Sequence, residues 1–443
     1  NKLNLTFNLY ESEKVLVERI NIFGNSVTSE NVIRNQLEID EGDSFNEILK
    51  TKSINNIKSL NFFRDVKSEV LDGSEDKSKI IIISANCAWT IYNHRMPIIR
   101  RLNQEGYKVC VLTQFDGYES LIAKEVDQIK PLFISSKGIN PFVDLFTIFD
   151  FVKYFIRLKP ALVLFFTIKP VIYGSIAARL VKVKSIVTIT GLGTAFIKDT
   201  WITKVAKTLY RFSLVSVATA FFQNVDDKDL FVGSRLVDSR VCRLTPGSGV
   251  DLDKFSRADL PLNKEMTFIL IARMIWDKGI REFVDAARNI KSIYPNIRFQ
   301  LLGPLGVENR TSISNEQMDE WQKDGIIEYL GETDNVVTYI ERACCVVLPS
   351  YREGTSKVLL EAAAMGRPLI ATDVPGCREV INDGVTGFLC RSGDYLDLSE
   401  KIELMFKLPY ESRRIMGAKG REKIENEFNQ DFVCDLYIDA IAN

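Results

Sequence analysis

Two glutamates, Glu353 and Glu361, lie in the part of this chain that is richest in groups able to do chemistry. A strand-like apolar run precedes them, and Gly354, Thr355 and Ser356 form a loop of small residues that leads into good helix formers. Thr355 or Ser356 can cap that helix. Because such a loop exposes backbone N–H groups and the positive end of the helix dipole, it predicts a phosphate site. Glu353 lies at the mouth of this site, and Glu361 can accept hydrogen bonds from a ribose.

Two cations, Arg273 and Lys278, follow another strand-like run at the start of the same domain. A diphosphate leaving group needs its growing negative charge neutralised, and arginine supplies a hydrogen-bonding fork while lysine supplies a point charge. Singly, each cation fits an ordinary surface position, and the glutamates alone would only favour a helix N-terminus electrostatically. Together, the four residues predict a site for a nucleotide diphosphate.

Other chemistries are disfavoured by the residue types present. The single histidine, His94, argues against His-rich metal sites and Ser-His-Asp triads, and we expect it to be packed or hydrogen-bonded locally. Asp251 and Asp253 match a D-x-D metal motif but follow a glycine-rich turn, so we expect a turn or cap role and predict no metal and no cofactor. The eight cysteines have no C-x-x-C spacing, which favours buried thiols in a reducing cytosol.

Charge is distributed unevenly along the chain, although the net charge is only −1. Residues 79–245 carry 23 basic and 12 acidic side chains, a net charge of +11, while residues 1–78 and 246–443 carry −4 and −8. The middle segment therefore favours an anionic partner, such as a lipid headgroup or a diphosphate-bearing acceptor, over a merely solvated basic surface. Nucleic acid is not expected, because neither a basic, aromatic-rich ribbon nor a nucleic-acid motif is present.

Two segments bear on membrane contact. Lys204, Lys207 and Arg211 recur at helical spacing, and residues 142–155 are apolar enough to touch lipid, although a helix packed on a sheet explains them as well. The longest uncharged apolar stretch, residues 212–225, is shorter than the about 20 residues of a spanning helix. The sequence also begins without a basic-then-apolar leader, so we expect no signal peptide in it. These features predict a cytoplasmic protein that is peripheral to the inner membrane.

Short apolar runs alternate with helical segments from residue 79 onward, which is typical of parallel α/β sheets. The first series comprises residues 80–84, 109–113, 162–167, 185–190, 220–223 and 241–244, and the second comprises residues 267–271, 297–302, 326–330, 346–349 and 368–372. They predict doubly wound domains at residues 79–259 and 260–420, followed by a C-terminal helix at residues 421–443. The cleft between the carboxyl ends of the two sets of strands is the expected ligand site.

Residues 79–443 resemble the retaining GT-B glycosyltransferases of family 4, and the strongest element of the resemblance is the E-x7-E pattern from Glu353 to Glu361. The resemblance implies two Rossmann-like domains facing a cleft. It also implies that Glu353 contacts donor-sugar hydroxyls, that Glu361 binds the ribose, and that Arg273 and Lys278 hold the donor diphosphate. The predicted catalytic residues are Arg273, Lys278 and Glu353, and the predicted donor-binding residues are Gly354, Thr355, Ser356 and Glu361.

Residues 168–174, 190–193 and 373–379 resemble a bacterial subgroup that builds capsule, O-antigen or glycan precursors on polyprenyl diphosphate, usually from UDP-linked hexoses that are often N-acetylated. The resemblance implies retaining transfer from a UDP-sugar to a polyprenyl-diphosphate-linked saccharide or another glycan acceptor. Because the sequence offers no carboxylate pair suited to double displacement, we expect front-face attack. The acceptor half departs from the family, because residues 84–92 lack the usual glycine pair and a later histidine is missing.

Residues 1–78 follow a different pattern, with alternating segments at residues 3–9 and 17–23 and helical stretches at residues 29–37 and 45–60. They resemble a small α+β POTRA domain of outer-membrane assembly proteins, a module that binds peptides by strand addition outside the cytoplasm. The two halves imply different compartments, so we favour a fused or excised piece over a natural bifunctional protein. The rival function is a noncatalytic peptide-binding adaptor with an inert α/β part.

One strand is claimed by both halves. A POTRA fold needs a closing strand, and the only candidate nearby, residues 79–84, is also the first strand of the transferase. A central parallel strand satisfies more backbone groups and buries more apolar side chains than an edge strand, so we expect the transferase to keep it.

Overall fold

The computed structural model describes residues 16–25, 27–70, 79–134, 141–192, 201–262, 265–307, 309 and 311–442. The chain divides into two compact units, Asn1–Lys77 and Ser78–Asn443. The predicted alternating segment at residues 3–9 lies outside the described residues.

The first unit contains the two predicted helices, α1 (Glu30–Arg34) and α2 (Glu47–Ser59). Helix α2 begins at residue 47 because the side chain of Asn46 accepts hydrogen bonds from the N–H groups of the first helical turn. The strand expected at residues 17–23 is not formed. Among the described residues, pairing there consists of an antiparallel bridge from Leu16 to Ser44 and the adjoining backbone hydrogen bonds.

The second unit begins with a seven-stranded sheet in which all neighbouring strands are parallel, in the order β3-β2-β1-β4-β5-β6-β7. Its strands are β1 (Ile80–Cys87), β2 (Lys108–Gln114), β3 (Gln128–Pro131), β4 (Leu162–Phe166), β5 (Lys184–Ile189), β6 (Thr219–Phe222) and β7 (Cys242–Leu244). The helices are α3 (Ala88–His94), α4 (Met96–Gln104), α5 (Glu119–Ile122), α6 (Pro141–Leu158), α7 (Ser175–Leu180), α8 (Trp201–Ser213) and α9 (Val225–Gly233).

Strand β1 is apolar from residue 80 to residue 83 because helices cover both faces of the sheet. Ile81 and Ile83 pack into the cluster beneath α3 and α4, while Ile82 packs into the opposite cluster with Phe151 of α6. Each such side chain contributes about 1.5–3 kcal/mol by leaving water. A parallel sheet buried on both faces is the reason for the near-continuous apolar runs in the sequence.

A second parallel sheet follows, with six strands in the order β10-β9-β8-β11-β12-β13. Its strands are β8 (Thr267–Ile271), β9 (Arg298–Leu302), β10 (Glu328–Tyr329), β11 (Cys345–Leu348), β12 (Leu369–Thr372) and β13 (Gly387–Cys390). The helices are α10 (Ile280–Ile293), α11 (Asn315–Lys323), α12 (Val337–Arg342), α13 (Lys357–Ala364), α14 (Tyr395–Lys407), α15 (Tyr410–Glu427) and α16 (Gln430–Ala442). Two Rossmann-like domains are thus joined in one chain.

Helices α15 and α16 differ from the single C-terminal helix expected at residues 421–443. Helix α15 runs through residue 420 and packs on α13, and the chain then turns at residues 428 and 429. Helix α16 returns to the first sheet, where the Tyr437 hydroxyl lies 2.7 Å from Thr188 Oγ1. The tail therefore packs against both domains. In the described part of the chain, no helix combines the length and the apolar character needed to cross a membrane.

The disputed strand belongs to the parallel sheet, as expected. Residues 80–84 pair with β2 on one side, and residues 81–84 pair with β4 on the other. The first unit is therefore left without this segment as a closing strand.

We predict that limited proteolysis of the full chain cuts first between residues 71 and 79. The connection lies where the two compact units meet, and connections of this kind are cleaved most easily. The fragment that retains Lys79 and all later residues should keep its melting temperature and the transferase activity that the sequence predicts. Mass spectrometry of a digestion time course, with an activity assay on each sample, measures both. A protected connection, with activity lost when residues 1–76 are trimmed, would show one integrated fold instead.

Candidate functional site

The predicted site residues gather at the carboxyl edge of the second sheet. Strand order reverses between β8 and β11, and the crevice outside such a reversal is the usual ligand site of an open α/β sheet. Arg273 and Lys278 follow β8, and the loop of residues 353–356 follows β11. The sheet topology therefore brings together residues that lie about 80 positions apart in the sequence.

Lys278 and Glu353 form an ion pair, with 2.5 Å between Nζ and Oε1 and both side chains largely buried. The loop that carries Lys278 is fixed to the loop after β11, because the Asp277 carbonyl accepts hydrogen bonds from the Tyr351 N–H (3.0 Å) and the Ser350 hydroxyl (3.2 Å). Gly279 makes this approach possible: its φ is +72°, and a Cβ there would lie 2.0 Å from a carbonyl oxygen.

Arg273 lies at the same edge but does not join the ion pair. Its side chain is exposed, and within the part of the chain that the structure describes no hydrogen bond or ion pair engages the guanidinium. It is available to an anionic ligand.

The start of α13 differs from the predicted capping arrangement. Ser356 occupies the N-cap position, but its hydroxyl makes no hydrogen bond to the helix, and the Thr355 hydroxyl donates instead to the carbonyl of Gln223 in the first domain (3.1 Å). The backbone N–H groups of Glu353 and Ser356 donate to the carbonyls of residues 375 and 376. These two amides are therefore not free for phosphate, whereas the first turn of α13 has no side-chain cap.

Glu361 is buried one turn into α13, with its carboxylate 3.6 Å from the Lys357 ammonium. Burial raises the pKa of Glu361 and lowers that of Lys357. Lys357 Nζ also donates to the Asn93 carbonyl of the first domain (2.5 Å). Sequence reasoning missed Lys357, although a lysine four positions before a glutamate on a predicted helix was a usable signal.

His94 packs locally, in agreement with the sequence-based expectation. Its ring lies edge-on to Trp89 at 5.7 Å between centroids. Burial, with the positive charges of Lys357 and Arg95 nearby, holds the pKa of His94 well below its usual value, so the ring is neutral at neutral pH.

Asp251 acts as a turn residue. Its Oδ1 accepts hydrogen bonds from the N–H groups of Asp253 (3.1 Å) and Lys254 (2.9 Å), which is the turn role expected from the sequence.

An interdomain latch, formed by Asn224 and Asp227 with Arg352 and Gly354, joins the two domains beside the site. The Arg352 guanidinium donates to Asp227 Oδ1, and Asn224 Nδ2 donates to the Gly354 carbonyl (3.0 Å). The side chain of Asp227 is 0% exposed and that of Arg352 is 20% exposed. Burial raises the pKa of Asp227, an effect that Arg352 opposes. This latch is not among the contacts that the sequence predicts, although Arg352 directly precedes Glu353.

Family comparisons match three segments of the chain. A model described as glycosyl transferases group 1 matches residues 253–423, and a glycosyl transferase 4-like model matches residues 80–224. A POTRA model, described as a surface antigen variable number repeat, matches residues 15–84.

The chain is also similar to curated glycosyltransferases and to solved glycosyltransferase structures. The chain is 27% identical over 366 residues to an N,N'-diacetylbacillosaminyl-diphospho-undecaprenol alpha-1,3-N-acetylgalactosaminyltransferase of Campylobacter jejuni, covering 79% of this chain and 94% of the relative. It is 26% identical over 376 residues to a UDP-Gal:alpha-D-GlcNAc-diphosphoundecaprenol alpha-1,3-galactosyltransferase of Escherichia coli, covering 78% of this chain and 94% of that relative. A glycosyltransferase structure from Rickettsia africae superposes with a TM-score of 0.67 at 17% identity, covering 82% of this chain and 98% of that one. The structure of Anabaena HepE in complex with UDP-glucose superposes with a TM-score of 0.68 at 14% sequence identity, covering 82% of this chain and 99% of that one.

We predict that the latch is energetically coupled. Removing one partner of a buried ion pair leaves an uncompensated charge, so a double-mutant cycle of Asp227→Asn and Arg352→Ala should give a coupling free energy of about 2 kcal/mol. Thermal or urea unfolding of the four proteins measures it. The neighbouring pair Asp226–Arg378 is the matched control, because its side chains are 46% and 40% exposed and 3.7 Å apart. Its coupling should stay below about 1 kcal/mol.

The latch also has a predicted pH dependence. In Arg352→Ala the opposing cation is gone, so the pKa of Asp227 should rise further in the folded state. A carboxyl with a raised folded-state pKa binds its proton more tightly than in the unfolded chain, so folding stability increases as the pH falls through that range. The deficit of the variant relative to the wild-type protein should therefore shrink on acidification. A deficit that is constant with pH would show that Asp227 does not carry the buried charge.

Proposed function

Residues 80–423 belong to the GT-B glycosyltransferases of family 4, and from that membership we propose that this protein moves a sugar from a UDP-sugar to a lipid-linked saccharide with retention of configuration. The observation that carries the proposal is the Lys278–Glu353 ion pair at the strand reversal of the second sheet, with Arg273 at the same edge and its guanidinium without a partner among the described residues.

The donor is proposed to bind the second domain. Arg273 and Lys278 neutralise the diphosphate, Glu353 contacts the sugar hydroxyls, Glu361 binds the ribose, and the loop of residues 354–356 lies against the phosphates. The uncapped first turn of α13 supports the phosphate assignment, because its N–H groups and the helix dipole favour an anion. UDP is favoured as the nucleotide because the Escherichia coli relative is described with UDP-Gal and HepE binds UDP-glucose.

The sugar transferred is proposed to be a HexNAc or a hexose. The Campylobacter relative transfers N-acetylgalactosamine and the Escherichia coli relative transfers galactose, according to their descriptions. Both descriptions also name a saccharide on diphosphoundecaprenol, which supports a lipid-linked acceptor here.

Retention is proposed to occur by front-face attack. The bond between the donor's anomeric carbon and the β-phosphate oxygen breaks, the acceptor oxygen bonds to that carbon on the same face, and the leaving phosphate oxygen takes the acceptor proton. Both glutamates of the site lie beside lysines, Glu353 by Lys278 and Glu361 by Lys357, which supports binding roles over attack on the sugar. Arg273 and Lys278 stabilise the charge that grows on the diphosphate.

Peripheral membrane contact is proposed for the face of the first domain formed by α6. One side of this helix packs on the sheet through Phe151 and Phe155, while Phe146 (63% exposed) and Phe149 (61% exposed) line a surface groove with Phe133, Asp150 and Lys153. Residues 142–155 were expected either to touch lipid or to pack on a sheet. The helix is compatible with both, because one side packs on the sheet and the other side is exposed. Exposed aromatic side chains beside basic residues are typical of an interfacial surface.

The acceptor's lipid would place this face on the cytoplasmic surface of the inner membrane. The eight cysteines are free thiols, which fits a reducing compartment.

Substitutions in the donor site should separate binding from turnover. Glu361→Ala should weaken UDP-sugar binding by roughly 10-fold to 100-fold, because a buried hydrogen-bond acceptor is lost. Arg273→Ala and Lys278→Ala should lower kcat by roughly 100-fold or more, because the cations act on charge that grows in the transition state. Donor titrations and steady-state transfer from a panel of UDP- and GDP-sugars to undecaprenyl-diphosphate-linked N-acetylglucosamine measure both quantities. The matched control is Arg288→Ala, an exposed arginine on α10 paired with Asp285 (2.9 Å), which should change neither. Wild-type donor binding and wild-type kcat in all three site variants would contradict the assignment of these residues to the donor site.

Membrane binding should depend on both anionic lipid and the aromatic groove. The full chain should co-sediment with phosphatidylglycerol vesicles and be released by salt, since each basic residue near an anionic surface contributes about 1 kcal/mol. Phe146→Ser with Phe149→Ser should reduce binding about tenfold or more, through lost apolar burial. Ile293→Ser, which changes a side chain that is 58% exposed in the second domain, is the control. Equal binding to phosphatidylcholine vesicles would contradict the proposal.

A further inference from the structure

The first sheet has a strand reversal of its own, between β1 and β4. In an open parallel sheet the crevice at such a reversal receives a ligand. The donor is proposed to bind at the reversal of the second sheet, and the equivalent position in the first sheet can therefore receive a different ligand. Asn86, at the end of β1, and Thr167, directly after β4, are the polar residues at this position.

The backbone is irregular at both residues. Thr167 has φ = +65°, a conformation that a β-branched residue adopts only at a cost of about 1–3 kcal/mol. Asn86 lies in a bulge, because the register of β1 with β2 shifts between Ala85 and Cys87. Bulges and strained residues concentrate at binding and catalytic sites, where they aim a side chain.

Hydrogen bonds hold the two residues together across the reversal. The Asn86 N–H donates to Thr167 Oγ1 (3.0 Å), and Thr167 Oγ1 lies 3.0 Å from Asn86 Oδ1. The Thr167 hydroxyl has a second acceptor in the Phe166 carbonyl (2.5 Å). When it donates there, Asn86 Oδ1 is free to accept from a ligand. Asn86 Nδ2 has no partner among the residues that the structure describes.

The surroundings select an uncharged ligand group. The nearby ammonium of Lys169 is neutralised by Asp144 (2.9 Å), which also accepts from the Tyr173 hydroxyl (2.7 Å). An amide that both donates and accepts, close to an ammonium that a carboxylate already neutralises, suits a sugar hydroxyl better than a phosphate.

The position is also within reach of the donor loop. Gly354 abuts the carboxyl ends of β5 and β6, where Thr190 and Gln223 lie. Neighbouring strands are about 4.8 Å apart, so the end of β4 lies about 5 Å from the end of β5 and about 10 Å from the end of β6. A sugar bound by Asn86 would therefore face the donor sugar across the cleft.

We propose that Asn86 and Thr167 bind the terminal sugar of the acceptor, with the Asn86 side-chain amide hydrogen-bonded to a hydroxyl next to the attacking one and Thr167 holding that amide in place. The inference rests on the proposed glycosyl transfer, which it deepens by naming the acceptor-positioning residues.

The test uses the full chain with undecaprenyl-diphosphate-linked N-acetylglucosamine, or whichever lipid-linked monosaccharide the wild-type protein uses best. Asn86→Ala should lower kcat/KM for the acceptor by roughly 10-fold to 100-fold while leaving hydrolysis of the UDP-sugar without acceptor unchanged. Thr167→Val should behave similarly, and Thr167→Ser should restore most of the activity because it keeps the hydroxyl. Asn103→Ala is the matched control: Asn103 lies at the end of α4, away from the strand reversal, and its side-chain amide donates to the Glu125 carbonyl (2.7 Å).

Mono-deoxy acceptors identify the contact. For one of them, the Asn86→Ala variant and the wild-type protein should be equally slow, because the hydrogen bond is already absent. An active wild-type protein whose Asn86→Ala variant keeps wild-type kcat/KM, or loses donor hydrolysis and melting temperature in parallel, overturns the inference alone. A wild-type protein that neither hydrolyses nor transfers from any UDP- or GDP-sugar overturns the proposed function, and the inference falls with it.

Discussion

The close contact between the loop after β11 and the first domain is the constraint on which the rest of the second unit depends. A parallel sheet offers its ligand-binding loops at one edge only, so two sheets can serve one reaction only if those edges face each other. Asp227 and Asn224 hold Arg352 and Gly354 in that position. Gly354 permits the approach, because a Cβ there would lie 2.5 Å from the backbone carbonyl oxygen of Thr190. The donor loop and the reversal of the first sheet thus become two sides of one cleft.

This contact excludes water from ionisable groups, and their pKa values respond. Burial raises the pKa of Glu361 and Asp227 and lowers the pKa of Lys357 and His94. In all four cases the folded state disfavours the charged form, and for Glu361, Asp227 and Lys357, which are ordinarily charged at neutral pH, this burial lowers folding stability. A fold selected for stability alone would have apolar residues there. Groups kept in this unfavourable setting at a cleft are better explained by a ligand that compensates them.

The sequence predicted the elements that have local signals and missed those that depend on distant partners. Apolar runs such as residues 80–84 and 346–349 predict buried strands. Strand β3 has no such run, because it is a partly exposed edge strand with the sequence Gln-Ile-Lys-Pro. Arg273 and Lys278 follow β8, Glu353 follows β11 and Glu361 lies in α13, so local strand and helix signals were enough to predict that these residues share one edge of the sheet. The Arg352–Asp227 contact joins residues 125 positions apart, and the positive φ of Thr167 opposes the preference of its residue type. Neither can be read from a local pattern.

Five residues, 80–84, are matched both by the POTRA model and by the glycosyl transferase 4-like model. The two folds would pair this segment differently. An edge strand forms hydrogen bonds with one neighbouring strand, whereas a strand in the middle of a sheet forms them with two. Here Ile81, Ile82, Ile83 and Ser84 pair with β2 and β4, and their side chains enter two separate apolar clusters or bond to the neighbouring strand. Removing them would break the sheet at its reversal, next to Asn86. The transferase therefore holds this strand for a functional reason as well as an energetic one, since the same strand that completes its core also delivers the residue that faces the cleft.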